Sequence, residues 1–174
     1  MTAAIQVRGN PADKRFLGHP RGLAYLAFTE AWERFSFYGM QALLLLYMIQ
    51  HLLTPDIMGG IFGLGQFRRA VEAVTGPLSH QAFAAQVFGL YTGLVYFTPV
   101  FGGLLADRVL GQRRTVVLGA ALMALGHVLM SFESAFLIAL LLLIVGSGCL
   151  KGNISVQVGH LYGLQEEGKR TRGY

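Results

Sequence analysis

Ala135-Phe136-Leu137-Ile138-Ala139-Leu140-Leu141-Leu142-Leu143-Ile144-Val145-Gly146-Ser147-Gly148-Cys149-Leu150 is a run of 16 residues without a charge, and Lys151 follows it at once. A helix needs about 20 residues to cross about 30 Å of hydrocarbon. The run alone is short, but Ile154-Ser155-Val156-Gln157-Val158 prolongs the apolar pattern beyond Lys151-Gly152-Asn153, before a charge-dense stretch begins. Read as one helix, this segment spans a membrane and carries a lysine near its far end. The alternative is a helix ending at Leu150 with Lys151 snorkelling to the interface. A lysine kept inside the membrane seeks a carboxylate.

Working outward, three more segments reach spanning length. Residues 115–132 are interrupted only by His127, residues 83–106 carry no charge, and residues 23–53 include the uncharged stretch from Phe35 to Gln50. Hydrophobic residues make up 53% of the 174 and charged residues 13%, which argues against a solvated globule or a disordered tail. The predicted fold class is therefore all-α: a polytopic transmembrane protein with helices at about 23–53, 83–106, 115–132 and 135–160. A tail (1–22) precedes them, a long loop (54–82) follows the first, and a final stretch (161–174) comes last. A signal peptide is not predicted, because the first apolar block is long, begins late and contains Glu30, Glu33 and Arg34. The single cysteine, Cys149, permits neither an internal disulfide nor a cysteine-rich metal site.

The net charge of +5 is not read as a nucleic-acid signal, because the charges lie between apolar blocks. Arg8, Lys14, Arg15 and Arg21 precede the first helix, Arg108, Arg113 and Arg114 lie in the second connection, and Lys169, Arg170 and Arg172 end the chain. Only Arg68 and Arg69 lie on the other side, so both termini are predicted to be cytoplasmic and residues 54–82 to face out. Within that outer loop, Phe67-Arg68-Arg69-Ala70-Val71-Glu72 reads either as a short interfacial helix or as plain solvated loop.

Ionisable residues inside a span are functional candidates by default. Relative to Glu30, Glu33 lies at about −60°, Arg34 at about +40°, Tyr38 at about +80° and Gln41 at about +20° around a helix. That polar face suggests a water-filled cavity, with Phe35, Phe37, Leu44 and Met48 assigned to the opposite side. The alternative is a helix starting two turns later, its charges among the lipid headgroups. His127 reads as a hydrogen-bonded packing residue, and Tyr91 and Tyr96 are open between packing and a polar pore. Gly89, Gly93, Gly102 and Gly103 suggest close helix contacts, and Pro99 a bend.

Three stretches carry a family resemblance. Gly102-Gly103-Leu104-Leu105-Ala106-Asp107-Arg108-Val109-Leu110-Gly111-Gln112-Arg113-Arg114 resembles the loop between the second and third helices of major facilitator transporters. Phe28-Thr29-Glu30-Ala31-Trp32-Glu33-Arg34-Phe35-Ser36-Phe37-Tyr38-Gly39-Met40 resembles the Glu-x-x-Glu-Arg helix of the proton-dependent oligopeptide transporter family of that superfamily. Lys151-Gly152-Asn153 resembles the same family's Lys-Pro-Asn motif. The resemblance implies a proton-coupled symporter importing di- and tripeptides by alternating access across a bacterial inner membrane, without enzymatic activity. It implies no cofactor beyond the proton gradient and no metal. It assigns Glu30, Glu33, Arg34 and Lys151 to proton coupling, and Arg34, Tyr38, Gln41, Tyr96, Lys151 and Asn153 to substrate. Asp107, Arg108, Arg113 and Arg114 become a conformational latch, with Asp107 capping the next helix or pairing with an arginine. Gln41 stands where relatives often carry arginine, and Gly152 where they carry proline. The histidine that animal members carry in the second helix is absent.

The family fold implied has twelve helices in two halves, so the chain is expected to be an N-terminal piece that stops before a fifth helix and does not transport alone. Its expected partners are di- and tripeptides, the lipid bilayer and the C-terminal half of the carrier; nucleic acid is not among them. Alternatives are a nitrate or other small-solute carrier of the same superfamily, or a non-transporting truncated membrane fragment. A carboxylate-bundle metalloenzyme is disfavoured, because such sites also need Glu-x-x-His partners.

Overall fold

The structure, a computed structural model, describes Leu17 and residues 19–161. Most of the expected tail and the stretch after residue 161 lie outside the described residues. Among those described, regular structure is helical. Helix α1 is Arg21–Tyr47, α2 Pro55–Met58, α3 Leu64–Thr75, α4 His80–Leu105, α5 Gln112–Leu129 and α6 Phe136–Leu161. The long helices among the described residues are α1, α4, α5 and α6. α1 already contains Glu30, Glu33 and Arg34, so the helix does not start two turns later.

Local chemistry explains the boundaries. α1 continues through a π-helical turn, Met48–Leu52, and stops before Pro55, whose ring disfavours helical backbone in Thr54. The Ser79 hydroxyl accepts the Ala82 amide at 3.2 Å and caps α4. α4 runs through Pro99, adds a π-helical turn at Ala106–Leu110 and ends at Gly111, whose φ of 76° favours glycine. Gly111 is also the N-cap of α5, with no side-chain cap bond, so Asp107 does not cap that helix.

Among the described residues, two segments are long and apolar enough to cross a membrane by length and composition, His80–Leu110 and Glu133–Leu161. α1 has the length, but its charges and Gln41 dilute its hydropathy; α5 has 18 residues and bears Arg113, Arg114 and His127. α6 is the central helix, packed mainly against α5 and α4 and then α1. Leu43, Leu46, Phe97, Phe101, Val117, Val128 and Leu141 are exposed on the outside of the bundle. A largely apolar exterior suits lipid or further helices rather than water.

Glycines set the crossings. A Cβ on Gly119 would lie 2.8 Å from the Gly146 carbonyl oxygen, and one on Gly146 2.8 Å from that of Gly119, so α5 and α6 meet backbone to backbone. A Cβ on Gly148 would lie 2.6 Å from Thr98 Oγ1, and one on Gly102 would overlap the Gly148 carbonyl, so α4 and α6 do likewise. Gly89, Gly93 and Gly103 have nothing within 4 Å of such a Cβ, so of the four glycines named from sequence only Gly102 makes a close contact. The others sit on faces of α4 turned away from the crossing.

The segment between α1 and α4 is built structure, not plain loop. α3 is amphipathic: Leu64 is buried and the Phe67 ring meets Phe83 edge-on at 6.1 Å. Arg68 closes a clasp, donating from Nε to Glu72 Oε1 at 2.8 Å and from Nη2 to the Leu78 carbonyl at 2.7 Å. The Leu78 amide donates to the same Glu72 oxygen at 3.2 Å. Arg68 and then the Leu78 amide hold the Glu72 carboxyl below its usual range. A carboxylate depressed in the folded state stabilises above its unfolded value, and that contribution disappears as pH falls through the folded one. A spin label at the exposed Val74 is therefore expected to gain mobility on acidification below the ordinary carboxylate range. Glu72→Gln should make it mobile already at neutral pH. An immobile label in that variant would show that the clasp does not hold α3.

Candidate functional site

The first-helix charges divide between two directions. Glu33 is 3% exposed and points to α6, where the Ser147 hydroxyl donates to its Oε1 at 2.6 Å. Lys151 Nζ lies 3.6 Å from the same oxygen. Arg34 turns away and donates to Glu30 Oε1 at 2.7 Å, one helical turn back, with the two side chains 57% and 42% exposed. The arrangement is thus two ion pairs, one buried and between helices, one exposed and within α1. The angular reading places these residues in one sector but does not distinguish the partners.

Two aromatic rings complete the Lys151 environment. The ammonium sits 4.2 Å from the Phe37 centroid and 4.9 Å from that of Tyr96. Cation–π contact supports the charge where water is scarce. Phe37 was assigned to the apolar side of α1, and the structure corrects this: seven residues past Glu30 it falls about 20° from the same direction. Leu44 and Met48 also belong to that stripe and are buried, whereas Phe35 is exposed. Tyr91 and Tyr96 separate: Tyr91 is buried with its ring stacked 6.5 Å from Phe37, and Tyr96 is exposed, edge-on to Phe37 at 5.8 Å.

A cavity of about 220 Å³ between α1, α4 and α6 brings together Glu30, Glu33, Arg34, Tyr38, Tyr96 and Lys151, with Phe37, Ile154 and Ser155. Gln41 and Asn153 do not line it. Asn153 is 2% exposed and donates to the carbonyls of Gly102 at 3.1 Å and Cys149 at 2.9 Å. The bond to Gly102 ties α6 to α4 and the bond to Cys149 stays within α6, one turn back, so in this conformation the Asn153 amide is taken up by backbone carbonyls and fastens the two helices. Asp107, Arg108, Arg113 and Arg114 are exposed. None of the ion pairs among the described residues joins these four, so the latch predicted from sequence is not engaged here.

A second cavity, about 420 Å³ and mostly apolar, lies on the other side of Glu33 between α1, α5 and α6. Its polar lining includes Ser36 and His127. His127 Nδ1 donates to the Met123 carbonyl at 2.7 Å, leaving Nε2 to accept the Ser36 hydroxyl at 2.8 Å. His127 packs, as its sequence context suggests. Sequence reasoning passed over two polar residues that the structure makes specific. Ser147 is a serine between two glycines in an apolar run. His51 donates to Glu133 Oε1 at 2.6 Å, 82 residues away, tying the end of α1 to the turn before α6.

Such a bundle, with paired charges around a cavity within largely apolar helices, has the architecture of a membrane transport protein. The POT family pattern matches residues 113–174. The chain is 41% identical over 168 residues to a di-/tripeptide transporter of Lactococcus lactis subsp. cremoris, covering 95% of this chain and 30% of that protein. It is 41% identical over 165 residues to the transporter YclF of Bacillus subtilis, covering 92% and 29%. Among solved structures, a mutant of the peptide transporter POT in complex with alafosfalin matches with a TM-score of 0.72 and 35% identity, covering 92% of this chain and 30% of that one. The C-terminal part of the chain thus carries the POT family pattern, and more than nine-tenths of the chain is similar to peptide transporters. The chain spans about 30% of the length of the curated relatives it matches.

Proposed function

We propose that this chain supplies the first four membrane helices of a proton-coupled symporter that imports di- and tripeptides. The observation that carries the reading is the buried Glu33–Lys151 pair beside the exposed Glu30–Arg34 pair in one cavity. A buried carboxylate held by a cation and a hydroxyl is a proton site whose occupancy changes the cation's partner. Protonation of Glu30 removes the charge that holds Arg34, freeing the guanidinium for a peptide carboxylate. Protonation of Glu33 likewise frees Lys151. Tyr38 and Tyr96 flank the peptide; Asn153 and Gln41 act only if the helices rearrange. Proton and peptide then cross together by rocking of two halves around the cavity.

In this reading the protein is a multi-pass protein of the bacterial inner membrane, with its N-terminus cytoplasmic and Asp107, Arg108, Arg113 and Arg114 at the cytoplasmic face. The basic residues on that side support the orientation. The four-helix piece is proposed to need the remaining helices of its carrier, and no cofactor. The full-length carrier in a peptide-transport-deficient bacterium should accumulate labelled dialanine and lose that accumulation when the proton gradient is collapsed. Uptake of labelled nitrate in place of dialanine, or dialanine uptake indifferent to the gradient, would overturn the proposal.

A further inference from the structure

We propose that Ser147 is a positioning residue for proton coupling, holding the Glu33 carboxylate in its ionised form against Lys151; this rests on the symporter reading above. Three observations converge on it. The Ser147 hydroxyl and Lys151 Nζ meet the same oxygen, Glu33 Oε1, at 2.6 and 3.6 Å. The shorter contact belongs to the serine, at ordinary hydrogen-bond length, whereas the lysine sits beyond it. Ser147 and Glu33 are both 3% exposed, so no bulk water replaces the hydroxyl if it is removed.

The third observation is how the hydroxyl is aimed. Ser147 lies between Gly146 and Gly148, the two residues at which α6 touches α5 and α4 through backbone. With α6 fixed on both sides, the remaining direction from position 147 is toward α1. Ser147 lies one helical turn before Lys151, so both groups reach Glu33 from the same face of α6. A hydroxyl adapts to either protonation state: it donates to the carboxylate and can accept from the carboxylic acid. Ser147 therefore retains Glu33 while Lys151 is released. Because a donated bond to the ionised form favours that form, Ser147 also sets the pH at which the proton is taken up.

Other ionisable groups face Glu33 and bear on the same titration. Lys151 comes from α6, Tyr91 and Tyr96 from α4, His127 across the second cavity from α5, and Glu30 and Arg34 from α1 itself. None of them replaces a neutral donor on Oε1.

The test is made on the full-length carrier in proteoliposomes. Ser147→Ala should move the pH of half-maximal proton-driven dialanine uptake upward by about one unit, the scale set by one charge-assisted hydrogen bond. Ser147→Thr, which keeps the hydroxyl, should restore the wild-type midpoint. A role in packing alone would change the amplitude of uptake and leave the midpoint in place; that result overturns the proposal. A second measurement needs no transport. The infrared band of the protonated Glu33 carboxyl, identified by its loss in Glu33→Gln, is titrated in wild type, Ser147→Thr and Ser147→Ala. The band should persist to higher pH in Ser147→Ala alone; identical titrations would overturn the assignment. If dialanine uptake is absent while the band moves as described, the symporter reading fails and the role of Ser147 toward Glu33 stands.

Discussion

Gly102→Ala is expected to destabilise the bundle by about 3 kcal/mol, at the upper end of the usual cost of overpacking. The added Cβ would overlap the Gly148 carbonyl, and the obstacle is backbone, which cannot swing aside as a side chain can. α4 and α6 must separate, and the Asn153 bond to the Gly102 carbonyl, 3.1 Å long, is lost with the contact. Gly93→Ala in the same helix is the control, because nothing lies within 4 Å of its Cβ. Alanine is also the better helix former there, by up to about 1 kcal/mol in water. Thermal unfolding in detergent, followed by circular dichroism, should show a clear loss for Gly102→Ala and none for Gly93→Ala. Equal transitions in the two variants would show that the crossing is looser than described.

Lys151→Ala is expected to abolish uphill peptide accumulation and to destabilise the protein, whereas Arg34→Ala should abolish peptide movement with little effect on stability. The difference follows from burial. Glu33 is 3% exposed, and removing the cation from a buried pair costs about 3–5 kcal/mol unless the carboxylate takes up a proton. Arg34 and Glu30 are 57% and 42% exposed, and such a pair is worth about 0–1 kcal/mol. Adding Glu33→Gln to Lys151→Ala should recover stability, since no charge is then stranded, but not accumulation. Glu33→Gln alone should retain exchange driven by a peptide gradient and lose the proton-driven component. Counterflow and proton-driven uptake in the same proteoliposomes separate these cases. Wild-type accumulation by Lys151→Gln would mean that the lysine only snorkels and that the buried pair does not couple.

The long helices were legible because long apolar blocks advertise themselves by composition; the parts played by Pro55, Gly111 and Ser79 at their ends come from the structure. The candidate charges were legible as well, since few ionisable residues interrupt apolar blocks. Their pairing was not. Whether Arg34 meets Glu30 or Glu33 depends on where α6 lies against α1, and α6 is itself seated on α4 and α5 by glycines whose contacts no spacing rule reveals. Among 23 glycines, those at 119, 146 and 148 matter because of what faces them. Asn153 shows the same limit: its motif suggests a binding group, yet its amide is occupied by the Cys149 carbonyl of its own helix and by the Gly102 carbonyl that the Gly102–Gly148 contact brings near. Phe37 was legible and misread: a seven-residue step almost closes two turns, so the angular arithmetic itself sets its ring on the Glu30 side of α1.

The backbone contacts on both sides of α6 also have a mechanical meaning. Side-chain interfaces can slide by changing rotamers, but two main chains in contact have no such freedom. α4, α5 and α6 therefore move as one block, and Lys151 and Ser147 ride on it as fixed reference points. α1 rests on that block through side chains, chiefly Glu33, Phe37 and their neighbours, so it is the part that can shift by small amounts. In the symport proposed above, a proton on Glu33 would act less as a switch within one helix than as the release of a brake between a stationary frame and a sliding rod.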